Sequence, residues 1–441
     1  MRRSTFPIGG FFLAPQKRRT QDEPIRNAII PAVSLVPFHQ AGGEPVLPTI
    51  SAGSEVGEGV RIGRSAGKDS ADLHSPVPGR VTEIRTIALE NGLQTAAAVI
   101  AMEGEFSRLG KPAVAHDWRS YNPRTIRRLI RDAGVVELAN GGHPVHAALS
   151  EKVAARCSTL LINGAESEPY VAVSHRLMLE HPAQLMEAVE IVEALVQPTQ
   201  TLIGAERDKS DGLHALRRVS SGRNQPTTLF RLEEKYPQSD PLQLIRALTG
   251  REVPSGKHPI DIGCVVVSVP TLYAIWEAVV LRKPLIERVI TVAGGALEAP
   301  ANLKVRIGTP IGSLLKECGY VPSDTARVVV GGPLRGHAVT NLSTPVTKTT
   351  SAVLALTRSE VREGPERPCI ECGRCAEVCP MGLNPARLRK LDRASQHRQA
   401  ISEGLRDCTE CGLCSYVCPS RIPLADALAE AKRAGDAVAD E

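Results

Sequence analysis

The chain has 441 residues, of which 42% are hydrophobic and 23% charged, close to the mix of soluble globular proteins. This composition excludes wholesale disorder and collagen-like structure, and the length predicts about two to four domains. The net charge of +5 is small for this size and argues against a dedicated nucleic-acid-binding protein. We expect no direct membrane insertion, because the best candidate span, Ile262 to Trp276, is too short and contains Pro270.

The first predicted domain covers residues 25–110 and is rich in short β-branched stretches separated by glycines. The stretch Ala32–Phe38 is one such strand, and glycines follow at regular intervals. Evenly spaced short strands with turn signals predict a small β barrel or sandwich. The sequences "SAGSEVGEGVRIG" and "HSPVPGRV" resemble the barrel-sandwich hybrid, or lipoyl/biotinyl-like, fold.

The second predicted domain covers residues 118–282 and alternates helical patterns with buried apolar strands such as "CSTLLIN" and "DIGCVVVSV". This alternation predicts a parallel α/β sheet. Ligands of such sheets bind at loops beyond the carboxyl ends of the strands. Asn163, Glu166, Glu168 and Tyr170 occupy such a loop, so they are candidate binding residues.

The third predicted domain covers residues 285–358 and reads as two strands, a helix and another strand. The sequences that carry it are "IERVITVAG", "KVRIGTPIGSLLKECG" and "ARVVVGGPLRG". This order predicts a small β-grasp unit. The glycines Gly331, Gly332 and Gly336 lack a dinucleotide-binding spacing, so we interpret them as tight turns rather than as a phosphate cradle.

The fourth predicted domain, residues 360–435, holds eight of the eleven cysteines in two C-x2-C-x2-C-x3-C-P runs. In this spacing, three cysteines of a run bind one [4Fe–4S] cluster and the fourth binds the other cluster. One predicted ligand set, called here the outer set, is Cys369, Cys372, Cys375 and Cys418. The other, the inner set, is Cys379, Cys408, Cys411 and Cys414. Zinc is the alternative, but zinc sites usually show paired C-x2-C knuckles.

Several stretches together give the chain a resemblance to the RnfC family, the C subunits of Rnf-type ion-translocating electron transport complexes. They include both cysteine runs, "NGAESEPY", "KYPQSDPLQLIRALTGREVPSG", "KPLIERVITVAGGALEAP" and "GGPLRG" followed by "TPVTKTTSAVLALT". The resemblance covers residues 30–435. It implies a multidomain α+β and α/β fold: barrel-sandwich hybrid, Rossmann-like flavin domain, SLBB-like β-grasp domain and α-helical dicluster ferredoxin domain.

The resemblance also implies a role. Family members are peripheral proteins on the cytoplasmic side of the inner membrane. They pass electrons between NADH and membrane partners through FMN and two [4Fe–4S] clusters. The implied partners are the membrane subunits of the complex and ferredoxin. No catalytic side chain is assigned, because the hydride chemistry would belong to the flavin.

The second domain resembles the flavin-binding domain of the NADH-oxidising subunit of respiratory complex I. The positions that this resemblance marks for flavin or nucleotide binding are Gly141, Gly142, Asn163, Glu166, Glu168, Tyr170, Tyr236 and Thr271.

The chain departs from the family at the glycine-rich loop, which reads roughly G-L-G-G-A-G-F-P in relatives. Here it reads E-L-A-N-G-G-H-P over residues 137–144, and Ser268 replaces an expected asparagine. Side chains would crowd a backbone that must approach a phosphate, and Glu137 would repel it. Two hypotheses follow: an NADH-facing subunit with FMN, or a flavin-free electron-relay and docking subunit. A cobalamin-reductase-like flavoprotein is a further alternative.

Overall fold

The computed structural model describes residues 2–40, 43–139, 141–220 and 226–439 of the chain. Asn140, one residue of the altered loop, lies outside the described residues. Within the described ranges, no helix is long and apolar enough to cross a bilayer.

The α/β domain is built on a five-stranded parallel sheet, which confirms the prediction from strand–helix alternation. Its central strand Thr159–Asn163 is buried along its whole length, as expected for a parallel sheet covered on both faces. Across the sheet the strands are Arg2–Ser4, Thr227–Leu232, Gln200–Glu206, Thr159–Asn163 and Cys264–Ser268. The helices are Pro123–Asp132, Val145–Ala148, Glu151–Ala154, Val173–Glu180, Pro182–Val196, Ser210–Val219, Pro241–Thr249 and Val269–Val280.

Local sequence signals set the ends of these helices. The helix Pro241–Thr249 begins where the Asp240 side chain accepts a hydrogen bond from the Leu242 N–H at 3.0 Å. It ends at Gly250, whose φ of 71° favours glycine. The helix Val269–Val280 begins at the N-cap Ser268. Both helix starts therefore point at the carboxyl edge of the sheet.

The barrel-sandwich domain pairs a four-stranded and a three-stranded antiparallel sheet around an aliphatic core. Its strands are Val33–Pro37, Leu47–Pro48, Glu55–Val56, Arg61–Arg64, Leu73–His74, Gly79–Ala88 and Gln94–Met102. A side chain at Gly79 would place its Cβ 2.0 Å from the Ala101 carbonyl oxygen, so the pairing of the two long strands requires glycine there.

The β-grasp domain is a six-stranded mixed sheet that carries the helix Ile311–Glu317. Its strands are Ile25–Asn27, Glu287–Ala293, Ala301–Arg306, Thr325–Val330, His337–Val339 and Ala352–Thr357. The glycine-rich loop after Val330 is a tight turn: Gly331 has a φ of 96°, and the Gly336 N–H bonds to the Gly332 carbonyl at 2.7 Å.

The cysteine-rich domain is helical, with helices Arg374–Glu377, Pro385–Arg393, His397–Ser402, Leu413–Tyr416 and Leu424–Ala439. The two cysteine runs have the same backbone. Glu371 and Glu410 both have a φ of 55°, and Gly373 and Gly412 are left-handed immediately before the short helices. Five 3-10 helices complete the secondary structure of the described chain: Trp118–Ser120, Arg207–Lys209, Pro259–Ile262, Pro322–Asp324 and Leu405–Asp407.

The N-terminal segment, residues 2–20, joins domains that are distant in sequence. Arg2–Ser4 forms an edge strand of the α/β sheet. Farther along, Phe11 pairs with Tyr236, and the Gly10 N–H bonds to the Val378 carbonyl at 2.9 Å in the cysteine-rich domain. No sequence pattern predicts this role for the segment.

Candidate cofactor sites

The outer cysteine set lines an open cavity of about 830 Å³ between the first cysteine run and the end of the second. Cys369 and Cys372 are exposed on its rim, Cys375 is half-buried, and Cys418 is buried at its base. The side chains of Ile422 and Leu424 close the cavity on the side of the domain core.

The inner cysteine set lines a second, smaller cavity together with Leu383, Leu413 and Leu428. This site is deeper: Cys411 and Cys414 are buried, and Cys379 and Cys408 are half-buried. In both cavities, three cysteines of one run therefore meet the fourth cysteine of the other run. This is the grouping that the spacing predicts, and the role of these cysteines as iron ligands stays a prediction.

The donor set of each cavity is four thiols, which suits iron–sulfur clusters. Within the described ranges, no three His, Cys, Asp or Glu side chains are gathered closely enough to hold a single metal ion. Burial raises the pKa of Cys411 to about 11, and it also raises the pKa of Cys408 and Cys414. Because the thiolate is the ligand, binding of iron would have to displace these protons.

Two residues predicted as flavin-site residues contact the loop of the inner cysteine set or the residues beside it. The Tyr236 hydroxyl lies 2.7 Å from the Cys411 carbonyl oxygen and 3.1 Å from Glu168 Oε1. The other Glu168 oxygen accepts the Leu334 N–H at 3.2 Å, and Arg335 donates to the Thr409 carbonyl at 3.3 Å. Burial raises the pKa of both Glu168 and Tyr236. The two side chains thus link the α/β, β-grasp and cysteine-rich domains.

The other predicted residues at the carboxyl edge of the sheet also have internal partners. Asn163 donates to the Ser239 carbonyl at 2.8 Å, and the Tyr170 hydroxyl donates to Glu360 at 3.0 Å. The Glu166 carboxylate accepts the Ser174 N–H at 2.8 Å, and its carbonyl accepts a hydrogen bond from Lys17. Lys17 could not be found from the sequence, because the N-terminal segment carries no pattern that places it at this edge.

Residues 137–139, at the start of the altered loop, lie against the start of the helix Val269–Val280. The Glu137 carboxylate accepts hydrogen bonds from the Ser268 N–H at 3.3 Å and from the Ala139 N–H at 3.2 Å. Thr271 Oγ1 accepts the Leu138 N–H at 2.8 Å. Burial raises the pKa of Glu137, and the helix-end hydrogen bonds oppose this shift.

Gly141 and Gly142 form the tip of the same loop, with φ angles of 74° and 68°. Gly142 is buried, whereas Gly141 is exposed beside His143. Both glycines thus have left-handed backbone angles, and the Glu137 N–H bonds to the His143 carbonyl at 2.8 Å. Their role in binding a cofactor stays a prediction.

This arrangement does not fit a flavin phosphate held in the manner of the family. A helix N-terminus is a ready anion site, but here a carboxylate of the chain already occupies it. A phosphate at this position would meet the Glu137 charge, and Leu138 already uses the Thr271 hydroxyl. The sequence indicated repulsion by Glu137 but not its contact with Ser268, which lies 131 residues away.

Comparison with known families identifies all four domains. The RnfC barrel sandwich hybrid domain matches residues 5–105, and the Nuo51 FMN-binding domain matches residues 130–277. The SLBB domain matches residues 289–338, and the 4Fe-4S dicluster domain matches residues 368–422. The predicted fold class is thereby confirmed.

Curated relatives match nearly the whole chain. The C subunit of the ion-translocating oxidoreductase complex of Pseudomonas aeruginosa is 40% identical over 95% of this chain, which spans 54% of that protein. The protein of the same name from Pectobacterium atrosepticum is 38% identical over 94% of this chain and 60% of its own length. The chain thus spans little more than half the length of these relatives.

A shorter relative is covered almost completely. It is the C subunit of the proton-translocating ferredoxin:NAD(+) oxidoreductase complex of Clostridium ljungdahlii. It is 34% identical over 90% of this chain and 86% of its own length.

Two solved structures share the fold, and both are of an NAD+-reducing [NiFe]-hydrogenase. The air-oxidised state has 17% identity and a TM-score of 0.50, covering 66% of this chain and 57% of its own. The H2-reduced state has 16% identity and a TM-score of 0.51, covering 74% and 63%. At this identity the likeness shows the fold alone.

Together, the family domains and the curated relatives show that the chain belongs to the RnfC family, the C subunits of Rnf-type ion-translocating oxidoreductase complexes.

Proposed function

We propose that this protein is an electron-transfer subunit of an Rnf-type complex, peripheral on the cytoplasmic side of the inner membrane. It would relay electrons through two [4Fe–4S] clusters to or from the membrane subunits. The observation that carries this proposal is the grouping of eight cysteines into two sets of four, each around its own cavity. Membership of the family and the match to a 4Fe-4S dicluster domain support it.

The two cavities differ in their exposure to solvent. A relay through both clusters would therefore have one exposed end and one end inside the protein. The outer set opens to solvent, whereas the inner set is buried against the α/β and β-grasp domains through Tyr236 and Arg335. Bound clusters would supply one-electron transfer at both positions. The chain holds them through the cysteines and fixes the inner loop through hydrogen bonds to the carbonyls of Cys411 and Thr409.

We further propose that the relay works without FMN in the α/β domain. Glu137 occupies the helix N-terminus that a phosphate would need, and the polar groups of Asn163, Glu166, Glu168 and Tyr170 are engaged within the chain. The α/β domain would then have a structural role. It would support the loop of the inner cysteine set and pair with the N-terminal segment. Oxidoreductase activity toward NADH would belong to another component.

The second candidate function is that of an NADH-oxidising subunit with FMN and two clusters. The match of residues 130–277 to the Nuo51 FMN-binding domain favours it, as does the presence of the expected residues at the carboxyl edge. It requires the loop of residues 137–144 to open and Glu137 to leave the Ser268 N–H.

Anaerobic purification followed by desalting separates the two candidates. The relay predicts a brown protein that lacks the flavin absorbance band, is bleached by dithionite and does not respond to NADH. Retention of about one FMN per chain with bleaching by NADH would contradict the flavin-free relay and establish the second candidate.

A further inference from the structure

The cavity of the outer cysteine set is surrounded by basic side chains. They are Arg367, Arg374, Arg387, Arg389, Lys390 and Arg393. The same rim has only two acidic residues, Glu366 and Glu371. The chain as a whole carries a net charge of only +5, so this excess of positive charge is local to the cavity.

Part of this charge is neutralised by ion pairs and part is free. Lys390 pairs with Glu371 at 2.6 Å, and Arg389 pairs with Glu366 at 2.7 Å. Arg387 pairs with Glu403, which lies outside the cavity lining. The guanidinium of Arg393 reaches Glu366 only at 3.9 Å, with its side chain 67% exposed. Arg367 and Arg374 are exposed and form no ion pair with any other residue in the described ranges.

The exposed residues that this basic rim surrounds resemble a protein contact surface. Cys369 and Cys372 are exposed, and Ile370 between them is 67% exposed. Protein interfaces commonly combine a small apolar centre with a polar rim. Charged rims guide association with partners of opposite charge.

We propose that this basic rim docks a redox protein whose surface is acidic around its own cofactor. The proposal rests on the proposed function, because only a cluster in the outer cysteine set gives such a partner a reason to bind there. The ring of charge surrounds the site through which electrons would pass, so charge complementarity would bring the two centres together. An anionic lipid surface is the competing occupant, but it would not require an open redox site at its centre.

The test measures binding of the cluster-loaded protein to an acidic two-cluster ferredoxin by anaerobic surface plasmon resonance. We expect binding that weakens steeply between about 20 mM and about 500 mM salt, because exposed charges are screened over about 10 Å at 0.1 M. The double variant Arg374→Glu with Arg393→Glu should raise Kd at least about tenfold at low salt and show little difference at high salt. If the charge reversals lower iron content, Arg374→Gln with Arg393→Gln serves instead.

The control carries the same change of charge away from the cavity, as Arg64→Glu with Arg128→Glu. Both residues are exposed and lack ion pairs to the described residues. Equal weakening by the rim and control variants, or binding independent of salt, would overturn the proposal. The proposal would also be overturned if the rim variant lost binding to phosphatidylglycerol vesicles while its binding to ferredoxin stayed unchanged. Iron content is measured on every sample. Protein that contains no iron would refute the proposed relay. Protein that contains its clusters but does not bind the ferredoxin would refute only the docking surface.

Discussion

The Glu137 side chain opposes the binding of a phosphate at the loop of residues 137–144. Its carboxylate lies on the Ser268 N–H at the start of a twelve-residue helix, where an anion is favoured. An internal carboxylate competes with any phosphate at this position at very high effective concentration. The composition of the loop suggested the conflict, but only the fold brings residues 137 and 268 together.

Opening this loop should create flavin affinity. The double variant Glu137→Gly with Ala139→Gly restores two of the glycines that relatives carry and removes the internal anion. We expect FMN affinity to rise at least about tenfold, or about 1.4 kcal/mol, as measured by quenching of FMN fluorescence. The comparison variant Glu137→Gln keeps the side-chain volume and the hydrogen-bond acceptor, so it should gain less. Tight FMN binding by the unaltered protein would refute this account of the loop.

The resemblance marks Tyr236 as a candidate binding residue, whereas its contacts could not be predicted from the sequence. Its hydroxyl bridges the Cys411 carbonyl and Glu168, so Tyr236→Phe leaves a buried carboxyl group without this partner. We expect the free energy of unfolding to fall by about 1–3 kcal/mol in chemical denaturation. Tyr121→Phe is the control, because the Tyr121 ring packs under Arg282 and its hydroxyl has no hydrogen bond to the described residues. An equal effect of the two substitutions would show that the bridge contributes nothing.

At the scale of elements, alternating apolar and polar patterns predict most of the helices and strands. They do not predict short charged strands. The buried strand Thr159–Asn163 and the helix Pro182–Val196 follow from apolar runs and end signals. The edge strand Arg2–Ser4 has only three residues and no apolar pattern, so its pairing with Phe230–Leu232 could not be foreseen. Its place in the sheet depends on a partner strand in a distant part of the sequence.

The crossing of the two cysteine runs makes a prediction at this scale. Cys379 belongs to the first run but lines the cavity of the second, so Cys379→Ser should disturb the inner cluster and spare the outer one. Cys418→Ser should do the reverse. Electron paramagnetic resonance of the reduced variants distinguishes the two clusters by their signals. Disturbance of the outer cluster by Cys379→Ser would contradict the crossed arrangement.

At the scale of the whole molecule, a buried ionic network holds three domains together. Glu287 of the β-grasp domain contacts Lys304 at 2.8 Å and Arg306 at 3.2 Å. Arg306 also reaches Glu58 of the barrel-sandwich domain at 2.7 Å, and Lys283 bonds to Glu277 of the α/β domain at 2.6 Å. Burial alone would raise the pKa of Glu287, but the surrounding cations lower it to about 2.

This network should make the domain assembly sensitive to acid. A carboxylate with a lowered pKa stabilises the fold above its unfolded pKa of about 4.3, and the stabilisation is lost as pH falls toward about 2. Glu287→Gln should lower the free energy of unfolding at pH 7 by about 3–5 kcal/mol and flatten this acid dependence. Glu83→Gln, at an exposed pair with Arg85, should have little effect. Unchanged acid unfolding in Glu287→Gln would show that the network does not contribute.

The central claim is that the chain holds two [4Fe–4S] clusters in crossed cysteine sets. Iron and acid-labile sulfide, measured together with spin quantitation of the dithionite-reduced protein, test it most directly. We predict about eight irons and eight sulfides per chain, and two reduced clusters close enough to broaden each other's signals. About four irons or fewer, or zinc in their place, would contradict the account.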